Sequence, residues 1–325
     1  MSKNAFIVQS SPHFVDKDSV PKIMYTVVIA LVPALFASLY FFRFRALGLY
    51  ASCLIACLAT EAIFLRVRKI PLKSLWDGSA VITALLLAMT LPPSLSLELA
   101  VIGSVVAIAI GKQVFGGLGH NIFNPALVGR AFLQTAFPVA MTTWVPASTM
   151  SVNTATFATP LGNLKFQEAI AQGTLTSLKD LFWGNTGGCV GETSAVALLI
   201  GAIFLLYKKT IDWRIPVGII LSLGVFTGIF WLANPNEYAS PLFHILAGGL
   251  LIGAIYMATD MVTSPISSKG TWVYAFGIGV MVGLIRLFGG FPEGVMYAIL
   301  FMNTFVPLLN RSFRPRILGE RRHAS

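Results

Sequence analysis

Read for its hydrophobic and polar positions, the chain is a series of long apolar runs separated by short polar loops. Ten runs stand out, at residues 22–42, 46–66, 77–91, 97–116 and 124–140, then 191–207, 213–233, 241–260, 271–289 and 292–309. Most have the roughly 17–23 residues a helix needs to cross a hydrocarbon core of about 30 Å. They do not alternate apolar with polar residues as the strands of a membrane barrel do, so helices are predicted. The expected fold class is an all-α integral membrane protein of about ten transmembrane helices. The third run is barely long enough to cross and stops at Pro92-Pro93, where proline's fixed φ and missing N–H end a helix.

Between the fifth and sixth runs lies a polar island, residues 141–190, rich in Thr, Asn and Gly. It divides the chain into an N-terminal arm (1–21), a first five-helix half (22–140), the island (141–190), a second half (191–309) and a basic tail (310–325). The halves carry matching segments. Ile110-Gly111-Lys112-Gln113-Val114-Phe115-Gly116-Gly117 aligns with Gly283-Leu284-Ile285-Arg286-Leu287-Phe288-Gly289-Gly290, Ala88-Met89-Thr90 with Ala258-Thr259-Asp260, and Pro138 with Pro307. An odd number of spans per half makes the second copy inverted. In such architectures short or broken helices meet near the midplane and form a site.

Composition agrees with a membrane location. The chain of 325 residues is 56% hydrophobic and only 11% charged, against about 25% charged in soluble domains. The net charge of +10 could suggest a nucleic-acid partner, but in a membrane protein the placement of Lys and Arg reports orientation. With both termini on the cytoplasmic side, the inner segments hold seventeen Lys and Arg and the outer segments four, namely Arg43, Arg45, Lys165 and Lys179. The island is therefore expected outside a prokaryotic inner membrane, facing away from the cytoplasm, with lipid around the spans and no nucleic-acid partner. No small-residue cleavage site interrupts the first run, so no cleavable signal is expected. Three scattered cysteines fit neither a disulfide framework nor a metal site of the spaced-pair kind, and Cys53 and Cys57 read as small hydrophobes within a span.

Candidate chemistry is sparse. Glu61, Arg130, Asp260 and Arg286 fall within spans or at their ends, where ionisable residues mark a pathway or a paired partner. Asp260, beside Thr259 and Thr263 at a predicted helix break, is the candidate for an intramembrane pathway. Asn124-Pro125-Ala126 resembles the pore motif of water channels, but the second half has no copy of it. A helix N-cap followed by Pro at the first position accounts for it. Thr159-Pro160 reads the same way, as the cap of a surface helix that leaves an exposed hydroxyl at the turn.

One resemblance draws these observations together. Asp77-Gly78-Ser79-Ala80, Lys112 to Ala126, Ala158-Thr159-Pro160-Leu161, Arg286 to Gly290 and Asn303-Thr304-Phe305-Val306-Pro307-Leu308 resemble the D subunit of the Rnf electron-transport complex. More distantly, they resemble the B subunit of the sodium-pumping NADH:quinone reductase. The resemblance spans nearly the whole chain. It implies two inverted five-span repeats and an FMN esterified through its phosphate to threonine in a motif of the form Asp-x-x-Ser/Thr-Gly-Ala-Thr. On this chain the motif places Asn153 first, then Thr156, Phe157, Ala158 and the acceptor Thr159. Asn153 and Phe157 depart from the pattern. It also implies a second, non-covalent riboflavin, a flavin transferase during maturation, and partner subunits carrying flavins and iron–sulfur clusters. The role implied is an electron carrier in an ion-translocating ferredoxin:NAD+ oxidoreductase, moving Na+ or H+. With no Rossmann, P-loop or clustered-Cys signature here, NAD+ and ferredoxin fall to partners. A solute channel of urea-channel-like fold and a scaffold without flavin are the rival readings.

Overall fold

The computed structural model describes residues 19–145, 158–166, 170 and 174–314, and among these the chain forms helices and loops with no strand. The first half contains α1 (Val20–Phe42), α2 (Phe44–Val67), a 3-10 turn (Leu72–Asp77), α3 (Ser79–Met89), α4 (Leu97–Ile108, running on as a π-helical turn, Ala109–Gln113) and α5 (Pro125–Ala136). Three short helices follow, α6 (Pro138–Thr142), α7 (Pro160–Phe166) and α8 (Leu178–Trp183). The second half contains α9 (Ala195–Tyr207), α10 (Arg214–Ala233), α11 (Pro241–Leu246), α12 (Leu250–Ile252, running on as a π-helical turn, Gly253–Met257), α13 (Ser268–Phe288) and α14 (Val295–Ser312). Helices α1, α2, α10 and α13 are each long and apolar enough to cross a membrane, and α3 and α9 are shorter apolar helices.

Packing follows a pattern that recurs. Helix α2 packs on α3 and α4, and α4 on α5; likewise α10 packs on α11 and α13, and α13 on α14. The halves meet through α1 against α9 and α5 against α14. The basic loops gather at one end. There Arg68 donates to the Gly116 carbonyl at 2.8 Å and Arg214 to the Ser268 hydroxyl at 3.0 Å. A cavity at that end joins Ile23, Leu118, Thr210 and Asp260. At the opposite end Ser94 donates to the Thr143 carbonyl, and residues 158–166 and 189–193 close over the bundle.

Of the expected spans, one is a short helix and two are broken. Helix α3 has 11 residues, about 16 Å at 1.5 Å per residue, roughly half a hydrocarbon core. Its C-terminal carbonyls find donors in another segment: Gly191 N–H donates to Met89 at 2.7 Å and Val190 N–H to Leu91 at 3.0 Å. The run 241–260 breaks between α11 and α12, where Ala247 is extended and Gly248 takes φ +68°. The run 124–140 breaks at Phe137, ahead of Pro138, whereas Pro307 lies inside α14. Hydropathy reads the two broken runs as continuous because the residues at the breaks are themselves apolar or Gly.

Candidate functional site

Thr159 caps α7 as its sequence predicts. Its hydroxyl oxygen accepts the Gly162 N–H at 3.1 Å, and its carbonyl accepts that of Asn163 at 2.8 Å. The expectation of an exposed hydroxyl is overturned, for Thr159 is only 5% exposed. The reason is Leu161, two residues on, which is buried in a small second core with Leu181, Ala239, Phe243 and Ala247 and so draws α7 onto the bundle. Lys165, further along α7, donates to the carbonyls of Ile285, Arg286 and Phe291 at 3.1–3.2 Å. Those bonds use all three ammonium donors and put a cation at the C-terminus of α13, where the helix dipole favours it. Partial burial lowers the pKa of this ammonium.

Thr159 borders a cleft of about 520 Å³, within the range of roughly 300–1,000 Å³ usual for small-molecule sites. Trp144, Phe166, Phe291 and Tyr297 supply aromatic wall, and Arg130 and Glu293 supply charge. The Phe291 and Tyr297 rings lie 5.4 Å apart. The island thus has a cleft of its own, built between α5, α7 and α14. Ala158 lines it as well, while Asn153, Thr156 and Phe157 lie outside the described residues.

At the inner edge of the cleft sits a cluster that sequence reasoning passed over. Arg130 on α5 donates to Glu192 at 3.2 Å, to Glu293 at 2.9 Å and to the Cys189 sulfur at 3.5 Å. The Nε of Arg130 and the Oε2 of Glu192 are buried with no hydrogen-bond partner among the described residues. Cys189, Glu192 and Glu293 come close enough together to hold a metal ion, but the guanidinium of Arg130 already contacts all three. The available signal was the spacing Cys189-x-x-Glu192 just ahead of a span, with Glu293 following Pro292.

The other charges are accounted for separately. Lys112 is no loop residue: at 2% exposure it pairs with Glu61 at 2.5 Å and donates to the Ser79 hydroxyl at 2.6 Å. Arg286 donates to the carbonyls of His244 and Ala247, at the C-terminal end of α11. Asp260 follows the end of the α12 turn, as predicted, and accepts from Val262 N–H and the Thr263 hydroxyl at 3.3 Å each. It shares a cavity of about 90 Å³ with Lys112, Asn121 and Asn124. Asn124 caps α5 through the Ala126 and Leu127 N–H groups and also donates to the Met257 carbonyl across the two halves. Cys53 and Cys57 are fully buried among apolar neighbours.

Fold and cleft together define a polytopic membrane protein with a ring-sized site at one end of its bundle. The chain belongs to the NQR2, RnfD, RnfE family, whose pattern it matches over residues 7–319. It is 46% identical to the D subunit of the proton-translocating ferredoxin:NAD(+) oxidoreductase complex of Clostridium ljungdahlii, covering 99% of this chain and 98% of the relative. It is 44% identical to the D subunit of the Na(+)-translocating ferredoxin:NAD(+) oxidoreductase complex of Acetobacterium woodii, covering 98% and 97%. The D subunit of the ion-translocating oxidoreductase complex of Stutzerimonas stutzeri is 39% identical, with 94% of this chain and 93% of that relative covered.

Proposed function

We propose that this chain is the membrane electron-carrier subunit of an ion-translocating ferredoxin:NAD+ oxidoreductase complex, with FMN joined to Thr159 through a phosphoester. The observation that carries the proposal is Thr159 itself. The threonine that aligns with the family's acceptor is one of the residues lining an aromatic-walled cleft of about 520 Å³, in a chain closely related to the D subunits of such complexes.

The residues present suit the group. The aromatic walls match a flat ring system, and the unpartnered Nε of Arg130 offers a donor to an acceptor on it. Lys165 is committed to α13, so its part is to hold α7 in place and not to neutralise the phosphate. When bound, a flavin passes electrons one or two at a time, and the protein tunes it through position and nearby charge. Thr159 would be the attachment point, and Phe166, Phe291 and Tyr297, which line the cleft, would hold the ring.

The same reading takes the fold as two inverted five-helix repeats spanning the inner membrane, divided as 22–140 and 191–309, with cytoplasmic termini and the flavin loop outside. The recurring helix contacts support it. So does the meeting of matched elements, α1 with α9 and α5 with α14, as a pseudo-two-fold axis requires. The basic loops share one end, and Lys112 and Arg286, one position apart in the aligned halves, stand near opposite ends. Partners in this reading are the flavin- and iron–sulfur-bearing subunits that handle ferredoxin and NAD+, and a flavin transferase during maturation. A second, non-covalent riboflavin is assigned to no residue, since the cavity between the halves, at about 90 Å³, is below the usual size of a ligand pocket.

The test is a denaturing gel under ultraviolet light, with the chain produced alongside its flavin transferase. The wild-type band fluoresces and the Thr159→Val band is dark. A dark wild-type band would support the scaffold reading instead and end this one.

A further inference from the structure

Thr159 is placed to hold a group and badly placed to receive one. The residue is buried, and so are Pro160, Leu161 and Gly162 after it. Its hydroxyl oxygen already accepts the Gly162 N–H at 3.1 Å. An enzyme that modifies this hydroxyl must bring the reacting atom to about 3–3.5 Å from it in line for attack, which requires the residues around it to enter the enzyme's own cleft. With α7 seated on the bundle they cannot. Two contacts seat it. Leu161 joins the core of Leu181 and Phe243 and fits against Gly248, where an added Cβ would stand 2.7 Å from the Leu161 Cδ1. Lys165 donates to three carbonyls at the end of α13. Helices under about 12–15 residues are marginal alone in water, so α7, with seven residues, keeps its form through these contacts.

The seated position suits the modified residue instead. Thr159 and Gly162 line the same cleft, and Gly162 puts no side chain beside the hydroxyl, where a Cβ would stand 3.1 Å from the oxygen. Resting on the flavin attachment proposed above, we infer that the flavin transferase acts on Thr159 while α7 is released from the bundle, and that Leu161 and Lys165 decide when the chain stops being its substrate. The transfer balances without a redox step. The Thr159 oxygen bonds to the phosphorus of the FMN portion of a flavin dinucleotide, the phosphoanhydride bond breaks, adenosine monophosphate leaves, and the hydroxyl proton passes to a base of the transferase. Seating of α7 then buries the acceptor. The folded, unmodified chain is a poor substrate, and the flavin is taken up before this end of the bundle closes.

The experiment compares the full-length chain produced with the transferase against the same chain purified without it and then given transferase and flavin dinucleotide, with in-gel fluorescence followed over time. The wild type is labelled when co-produced but slowly once folded. Leu161→Ala speeds the second reaction by at least about tenfold and Lys165→Met by about fivefold, with labelling on co-production unchanged. A second readout needs no flavin. In the folded chain the thiol introduced by Thr159→Cys reacts slowly with a maleimide, and adding Lys165→Met speeds that reaction with little change in the unfolding midpoint, so the gain reports α7 and not a misfolded chain. A folded wild type modified as fast as the variants, or a thiol that reacts equally fast with and without Lys165, would overturn the inference and leave the flavin at Thr159 in place. A co-produced wild type that stays dark would overturn both.

Discussion

Lys112 and Arg286 lie one position apart when the two halves are aligned, each with Phe-Gly-Gly shortly after it, and each reaches the third element of its own half. Their partners differ. Lys112 meets a carboxylate, Glu61, at 2.5 Å, together with the Ser79 hydroxyl at the start of α3. Among the described residues Arg286 has no ion pair and donates to neutral backbone carbonyls at the end of α11, although it borders Gly248 together with Glu293. A broken helix inside a membrane leaves polar backbone groups that must be satisfied. The second half answers with a guanidinium placed where α11 stops. In the first half the backbone N–H groups of Val190 and Gly191 serve the end of α3, which leaves Lys112 to be held by a charge of its own. Cations at neighbouring positions of the aligned halves are therefore not energetically equivalent.

The difference has measurable consequences, the largest at Lys112. Lys112→Met leaves Glu61 as a buried, unpaired carboxylate and is expected to destabilise the chain by about 3–5 kcal/mol, read as a lowered unfolding midpoint in detergent. The double variant Lys112→Met with Glu61→Leu should recover most of that loss, because an apolar pair of similar volume replaces the ion pair. Failure to recover would mean that the pair does more than satisfy its own burial. Next in size is Arg286→Met, which strips donors from two carbonyls but breaks no direct ion pair among the described residues. A loss of about 1–3 kcal/mol is expected, and no second-site change at Glu61 should relieve it. Equal losses at the two positions would erase the contrast. The smallest effect is expected at Lys165, where replacement by Met removes three carbonyl contacts at a half-buried site for about 1 kcal/mol. Its clearest sign is faster limited proteolysis near α7 with little change in the global midpoint.

The spans were legible in the sequence because a long apolar helix writes itself into local composition, and most of their ends fall within a few residues of the runs. The breaks were less legible. Pro92-Pro93 announced the end of α3, but Gly248 and Gly249 sit in an apolar run that averaging smooths over. Lys112 reads as an inner-loop charge until the fold supplies Glu61, some fifty residues away in sequence. Thr159 was legible as a cap, since capping involves only its next few neighbours. Its burial and its cleft depend on Leu161 joining the core of Phe243 and on Phe166 and Tyr297 lining one cleft, an arrangement no local pattern encodes. Glu192 and Glu293 escaped notice for the same reason: apart, each is a lone carboxylate at the edge of a span, and only Arg130 makes them one site.

The central claim concerns one oxygen atom, and the mass of the purified protein tests it most directly. Produced with its flavin transferase, the chain is predicted to exceed its sequence mass by one FMN less one water, with the added mass on the peptide containing Thr159. An unmodified chain, or the same adduct on a different residue, would contradict the account.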